Sequence, residues 1–207
     1  MEFIMRLPDP FIDPTWPGIT SCQLSDVSSY QQDELNDNKV IQVSSGAQYY
    51  SASIEYTDLL IDDYDRVMNF IAKVKRENAY IDILLPQFPN LGFKLNTYLT
   101  QNGLKGNQLI IPNVTEVVGK LKINQFIQLS THPKLYQVTN YVYDSSNHKV
   151  ILDIYPDLFI TTNNASVNFS TPIMRARFKN MNNIDGSPMT TEGYYSSISL
   201  ELRECTE

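Results

Sequence analysis

Imidazoles, carboxylates and thiols are the side chains here that could move protons, hold a metal or attack a substrate, and the 207-residue chain spaces them poorly for any of these tasks. Its two histidines are His132 and His148, and neither belongs to a Cys, His or carboxylate set at metal-ligand spacing. His132 lies in Ser130-Thr131-His132-Pro133, a turn-like string, so both imidazoles are expected in surface loops. Paired carboxylates could hydrolyse a glycoside, and Asp62 with Asp63 or Asp153 with Asp157 are the pairs on offer. Ordinary folding accounts for them. Asp62 and Asp63 open a helix, Asp153 falls on the polar side of a strand, and Asp157 follows Pro156 in a turn. Cys22 and Cys205 lie near opposite ends of the chain and would be neighbours if the ends meet. One pair is too few to read as a disulfide framework, so both are expected to be buried free thiols. No GxSxG, HExxH, Walker or GxGxxG pattern occurs. No catalytic, cofactor-binding or metal-binding residue is assigned, and no enzymatic activity is expected.

The elements that would position any site are mainly strands. Pro8, Pro10, Pro14 and Pro17, followed by a polar run over 25–38, suggest an extended N-terminal arm before regular structure begins. Tyrosines, serines and β-branched residues over 40–56 suggest two strands broken at Ser45-Gly46. A helix follows, because Tyr64, Val67, Phe70, Ile71 and Val74 recur at intervals of three and four and share a face. Asp62 would cap it, with Asp63 and Asp65 in its first turn and Lys73, Lys75 and Arg76 in its last, matching the partial charges at helix ends. Ile81, Ile83 and Leu85 then alternate in a short strand that stops at Pro86.

A strand-rich segment, residues 88–169, is expected to be an insertion. Its strands fall at 108–111, at 121–129 around Leu121, Ile123, Ile127 and Leu129, at 136–143 and at 149–155, with Asp144-Ser145-Ser146-Asn147 turning between the last two. Four or five antiparallel strands in this length fit a small closed barrel of the oligonucleotide/oligosaccharide-binding (OB) type. The chain returns at 172–178 and closes with Ile198, Leu200 and Leu202 alternating against Ser197, Ser199, Glu201 and Arg203. The domains expected are 1–87 together with 170–207, a sheet bearing one helix, interrupted by 88–169.

Charge divides along the same lines. Residues 88–169 carry six lysines against four acids, and the net charge of −7 for the whole chain then leaves −9 on the flanks. The flanks are therefore unsuited to gripping a phosphate backbone. The insertion offers Phe126, Tyr136, Tyr141 and Tyr143 as bases for stacking, yet it contains no arginine. Sequence-specific nucleic-acid binding is not expected. No run reaches the roughly 20 apolar residues of a membrane span, and the N-terminus lacks the apolar stretch of a signal peptide, so synthesis in the cytoplasm is expected.

Several stretches resemble the distal tail protein family of long-tailed siphophages, most closely the coliphage T-five type. They are Met5-Arg6-Leu7-Pro8-Asp9-Pro10, Leu84-Leu85-Pro86-Gln87, Leu129-Ser130-Thr131-His132-Pro133-Lys134 and Tyr155-Pro156-Asp157-Leu158-Phe159-Ile160-Thr161-Thr162. Ser197-Ile198-Ser199-Leu200 and Leu202-Arg203-Glu204 extend the likeness to the C-terminal end. It begins at Met5, which sets residues 1–4 apart as an extension or an early start. The resemblance implies a distal-tail-type β-sandwich with an inserted OB-like barrel. It also implies a virion protein without enzymatic activity, forming a hexameric ring that joins the non-contractile tail tube to the baseplate hub and central fibre, with tail collar proteins as further neighbours. Relatives from phages of Gram-positive hosts carry a lectin-like second domain, which nothing here resembles. The alternative is that the barrel acts in host attachment by binding a surface sugar or a tail-tip partner.

Overall fold

The computed structural model describes residues 3–8, 13–34, 40–84, 98–114, 121–169, 171–179 and 194–206, with backbone alone at 29–34, 40–47, 98–99 and 196. In chain order the elements are β1 (Ile4–Arg6), β2 (Ser21–Glu34), β3 (Val40–Leu59), α1 (Ile61–Glu77), β4 (Tyr80–Leu84), β5 (Tyr98–Leu99) and β6 (Gln108–Ile111). They continue with β7 (Phe126–Leu129), β8 (Leu135–Asp144), β9 (Lys149–Tyr155), β10 (Ser166–Asn168), β11 (Ile173–Phe178) and β12 (Tyr195–Glu204). The chain is mainly β with one principal helix. By packing it divides into two units, Pro8–Asn78 with Arg177–Glu204, and Met1–Leu7 with Ala79–Ala176 and Cys205–Glu207.

In the first unit, β3 is paired on one side with β2 and on the other with β12, both antiparallel. Ala52, Ile54 and Tyr56 of β3 and Ile198, Leu200 and Leu202 of β12 are buried at every second position, as a pleated strand with one covered face requires. The helix adds Val67, Ile71 and Val74. Its expected stripe is observed, although Tyr64 and Phe70 are only half-buried, and Tyr64 stacks on Tyr195 at 3.8 Å and 11°. The expected cap is not observed. Leu60 holds the N-cap position without a side-chain hydrogen bond, because the helix begins at Ile61 and leaves Asp62 and Asp63 within its first turn. Asn78 ends it in the left-handed conformation at φ 47°.

Two further expectations are corrected in this unit. Residues 21–34 form a long strand where an arm was expected, since pairing with β3 supplies what the polar sequence does not. β3 runs unbroken through Ser45-Gly46, and the irregularity there is a register shift in pairing, between Ser28↔Gln48 and Tyr30↔Ser44. Among the described residues, 13–20 keep the strand-free character expected of the arm. Asp13 accepts from the N–H and Oγ1 of Thr15 at 3.0 and 2.7 Å, which holds its carboxyl below the ordinary range. Trp16 meets Phe70 edge-on at 6.1 Å and its Nε1 points to Tyr56 Oη at 3.5 Å, while Arg66 donates to the Thr15 carbonyl.

In the second unit, β4 is paired in parallel with β1 and antiparallel with residues 173–176 of β11. Ile81, Ile83, Met174 and Ala176 are buried. Arg175 lies opposite Asp82 and donates to both carboxylate oxygens, at 2.9 and 3.2 Å. Leu85 and Pro86, the expected end of this strand, lie outside the described residues.

The rest of this unit is a six-stranded antiparallel sheet in the order β5-β10-β7-β8-β9-β6. Its ends meet. Thr100 N–H donates to Ala165, beside β10, and Gln101 N–H donates to Ile110 of β6, both at 2.8 Å, so the chain leaving β5 bridges both edges of the sheet. Inside lie Leu109, Ile111, Ile127, Leu129, Val138, Val150, Leu152, Ile154 and Val167. Leu121 and Ile123 were expected in one strand with Ile127 and Leu129, but β7 starts only at Phe126. Asn124 has φ 69° and Ile123 is exposed, so a turn precedes the strand.

Thr162 fastens the closure. Its buried hydroxyl donates to the Gln101 carbonyl at 2.8 Å and accepts from Leu104 N–H at 3.1 Å. A Thr162→Val variant keeps the shape but leaves two backbone groups unpaired, and is expected to lose about 2 kcal/mol in urea unfolding followed by circular dichroism. A loss under about 0.5 kcal/mol would show that closure does not depend on this side chain.

Candidate functional site

The acid–base candidates do not converge. Among the described residues there is no group of three His, Cys, Asp or Glu side chains placed to hold a metal ion. Asp62 is exposed and Asp63 half-exposed in the first turn of α1. Asp153 lies opposite Gln108 and takes hydrogen bonds from Gln108 Nε2 at 3.1 Å and Asn140 Nδ2 at 3.2 Å, while Asp157 is exposed. Cys22 and Cys205 are free thiols and half-buried, less covered than expected, and burial pushes the Cys22 thiol up.

His148 is exposed in the β8–β9 turn at φ 48°. Asp144 shapes that turn by accepting from Ser146 and Asn147 N–H at 3.1 and 3.2 Å and from Asn147 Nδ2 at 2.7 Å, contacts that lower its carboxyl. The expectation of a surface loop therefore holds for His148 and fails for His132. His132 is only 9% exposed, because its turn folds against β8 and the loop after β9. Its Nδ1 lies 2.9 Å from Thr131 Oγ1 and its Nε2 lies 2.6 Å from Tyr136 Oη. Desolvation, and then the charge of Lys134, hold its pKa below the ordinary value.

Tyr136 is fully buried, and its hydroxyl also accepts from Phe159 N–H at 2.9 Å. A tyrosine so placed is no platform for a base. Phe126 is likewise in the core, and Tyr141 and Tyr143 pack half-buried against it. What the sequence did not single out is the surface this network holds in place. Phe159 and Ile160 stand 55% and 40% exposed on the loop that Tyr136 anchors. An adjacent aromatic and aliphatic pair three residues after Pro156 was the available signal. Lys134, 3% exposed, was also missed, since lysine in a turn ordinarily faces water.

The arrangement is chemically quiet: hydroxyls and an imidazole satisfied among themselves, with apolar side chains displayed outside. It is suited to holding a surface in shape. A Tyr136→Phe variant removes one hydroxyl from both His132 and Phe159, and is expected to cost about 1–3 kcal/mol in thermal or urea unfolding at pH 7.5. Wild-type stability in that variant would show that the network contributes nothing.

Comparison with known proteins gives a consistent result along the chain. Residues 7–88 match the family model described as distal tail protein pb9, A domain, N-terminal, and residues 90–173 match the one described as distal tail protein pb9, B domain. The chain is 37% identical over 205 residues to the distal tail protein pb9 of Escherichia phage T5, covering 97% of this chain and 99% of that protein.

Proposed function

The chain belongs to the pb9 family of phage distal tail proteins, virion components with a structural role in the tail, and on that premise we propose that six copies form a ring joining the tail tube to the baseplate hub and central fibre. The observation that carries this reading is the likeness to pb9 along 97% of the chain. A ring of identical subunits is stabilised by repeated head-to-tail burial of complementary surface, and closure fixes the copy number. The work is mechanical, and no substrate is turned over.

We assign ring formation to residues 1–87 with 170–207 and treat 88–169 as an inserted OB-type barrel. The division of the family models between 88 and 90 supports that partition. The packing units draw the line differently, grouping β1, β4 and 173–176 of β11 with the barrel strands. In the ring-forming part, Leu60, Ile61 and Tyr194 are exposed apolar residues near the paired Leu59 and Tyr195, the kind of surface that a neighbouring protein covers. The −9 charge of the flanks suits a lumen that lets DNA pass.

A density map of the intact tail tip tests the reading. Six copies around the axis at the tube's distal end are expected; density elsewhere in the particle would overturn it. A second reading, the barrel as a module binding a host sugar or a tail-tip neighbour, is favoured by Ile123, Val142, Phe159 and Ile160, all exposed on that segment. Full-length protein on a glycan array should then retain specific sugars. No retention would leave contacts within the tail as the barrel's role.

A further inference from the structure

His132 is covered from two sides. The edge of Tyr136 meets its ring at a centroid distance of 5.6 Å, and Phe159 leans over it at 6.0 Å and 44°. Phe159 is more than half exposed, so this part of the cover is a surface side chain. Its backbone is tied down by the N–H donated to Tyr136 Oη, the same oxygen that lies 2.6 Å from His132 Nε2. Imidazole, hydroxyl and loop backbone thus form one continuous linkage.

A neutral imidazole accepts through one nitrogen and donates through the other, whereas the charged ring donates through both. Each nitrogen here faces a hydroxyl, so protonation forces whichever hydroxyl was donating to turn away. It also adds charge to a buried ring whose own turn carries the buried Lys134. Around it, β7 and β10 carry no ionisable residue, β8 contributes Tyr136, and Asp157 on the covering loop is exposed. The cheapest response is to admit water by lifting the surface side chain.

We propose that protonation of His132 unlatches the loop over 157–161, so that Phe159 and Ile160 are held in a fixed presentation at neutral pH and released in acid. The lowered pKa of His132 sets the sign. The latched state binds the proton less readily than the open one. Latching is therefore complete above about 6.5, the ordinary imidazole value, and weakens as pH falls from there to the lower latched-state value.

The test follows the full-length protein by nuclear magnetic resonance, recording the His132 ring and the Phe159 amide from pH 7.5 to 5. Amide exchange at Phe159, corrected for its intrinsic pH dependence, should rise in step with ring protonation. The rise should reach about tenfold for each pH unit separating the latched and ordinary values, with Val138 unaffected. A His132→Gln variant should abolish the dependence. The idea fails if Phe159 stays protected while the ring titrates, if the ring does not titrate in this range, or if His132→Gln retains the wild-type response. Should that variant not fold, the wild-type titration decides alone.

Discussion

Gln101 N–H reaching the Ile110 carbonyl is a single backbone hydrogen bond, yet it ties the chain just past β5, one outer strand of the six-stranded sheet, to β6, the other. Without it, β5 and β6 would be the open edges of a six-stranded sheet, and open edges invite pairing with other chains. With it, the sheet encloses a core in which Leu109, Ile111, Val150, Leu152 and Ile154 face inward at alternate positions. Closure is costly in chain entropy, because the turn over 101–107 must be ordered to bring the edges together. Specific bonds offset this. Gly103 N–H donates to the Thr162 carbonyl and Leu158 N–H to the Gly106 carbonyl, both at 2.8 Å. Both glycines have φ above 70°, which other residues adopt only with strain.

The parts of the fold legible in the sequence are those where burial on one face dominates. The stripe Val67, Ile71 and Val74 and the alternation Ile198, Leu200 and Leu202 are required by any packing of a helix or strand against a core, whatever the neighbours are. The illegible parts depend on partners distant in the chain. β2 is a strand because β3 lies beside it, and its own residues over 21–28 alternate only weakly between exposed and half-buried. The helix start was misjudged by two residues, Leu60 rather than Asp62 holding the N-cap, for a related reason: a cap is a local preference of about 1 kcal/mol, and packing elsewhere on the helix, such as Tyr64 on Tyr195, is of similar size.

His132 illustrates the same limit at the site. A Ser-Thr-His-Pro string turns in any fold, and it does so here, with Ser130 N–H donating to Ser166 O at 2.9 Å. Whether the turn faces water is decided by another segment arriving over it, and that segment lies more than twenty residues downstream. The aromatic residues behave likewise. Composition supplies Phe126, Tyr136, Tyr141 and Tyr143 as possible stacking groups, and only the register of β7, β8 and β9 sends two of them wholly inside.

Two of the stretches that carry the family likeness, 129–134 and 155–162, prove to be the two halves of one interlock. His132 and Tyr136 receive Phe159 from the later stretch, Thr162 at its end holds the segment between β5 and β6 through Gln101 and Leu104, and Gln128 spans outward to the carbonyls of Pro133 and Ile173 at 3.2 and 2.9 Å. This explains how strings that carry no catalytic motif can distinguish a family. They encode pieces that must fit each other, and a misfit in either exposes buried hydroxyls and an imidazole to unsatisfied contact. In a structural protein of the phage tail, that mutual fit does the work of a site: the position of a displayed surface is set by buried bonds behind it.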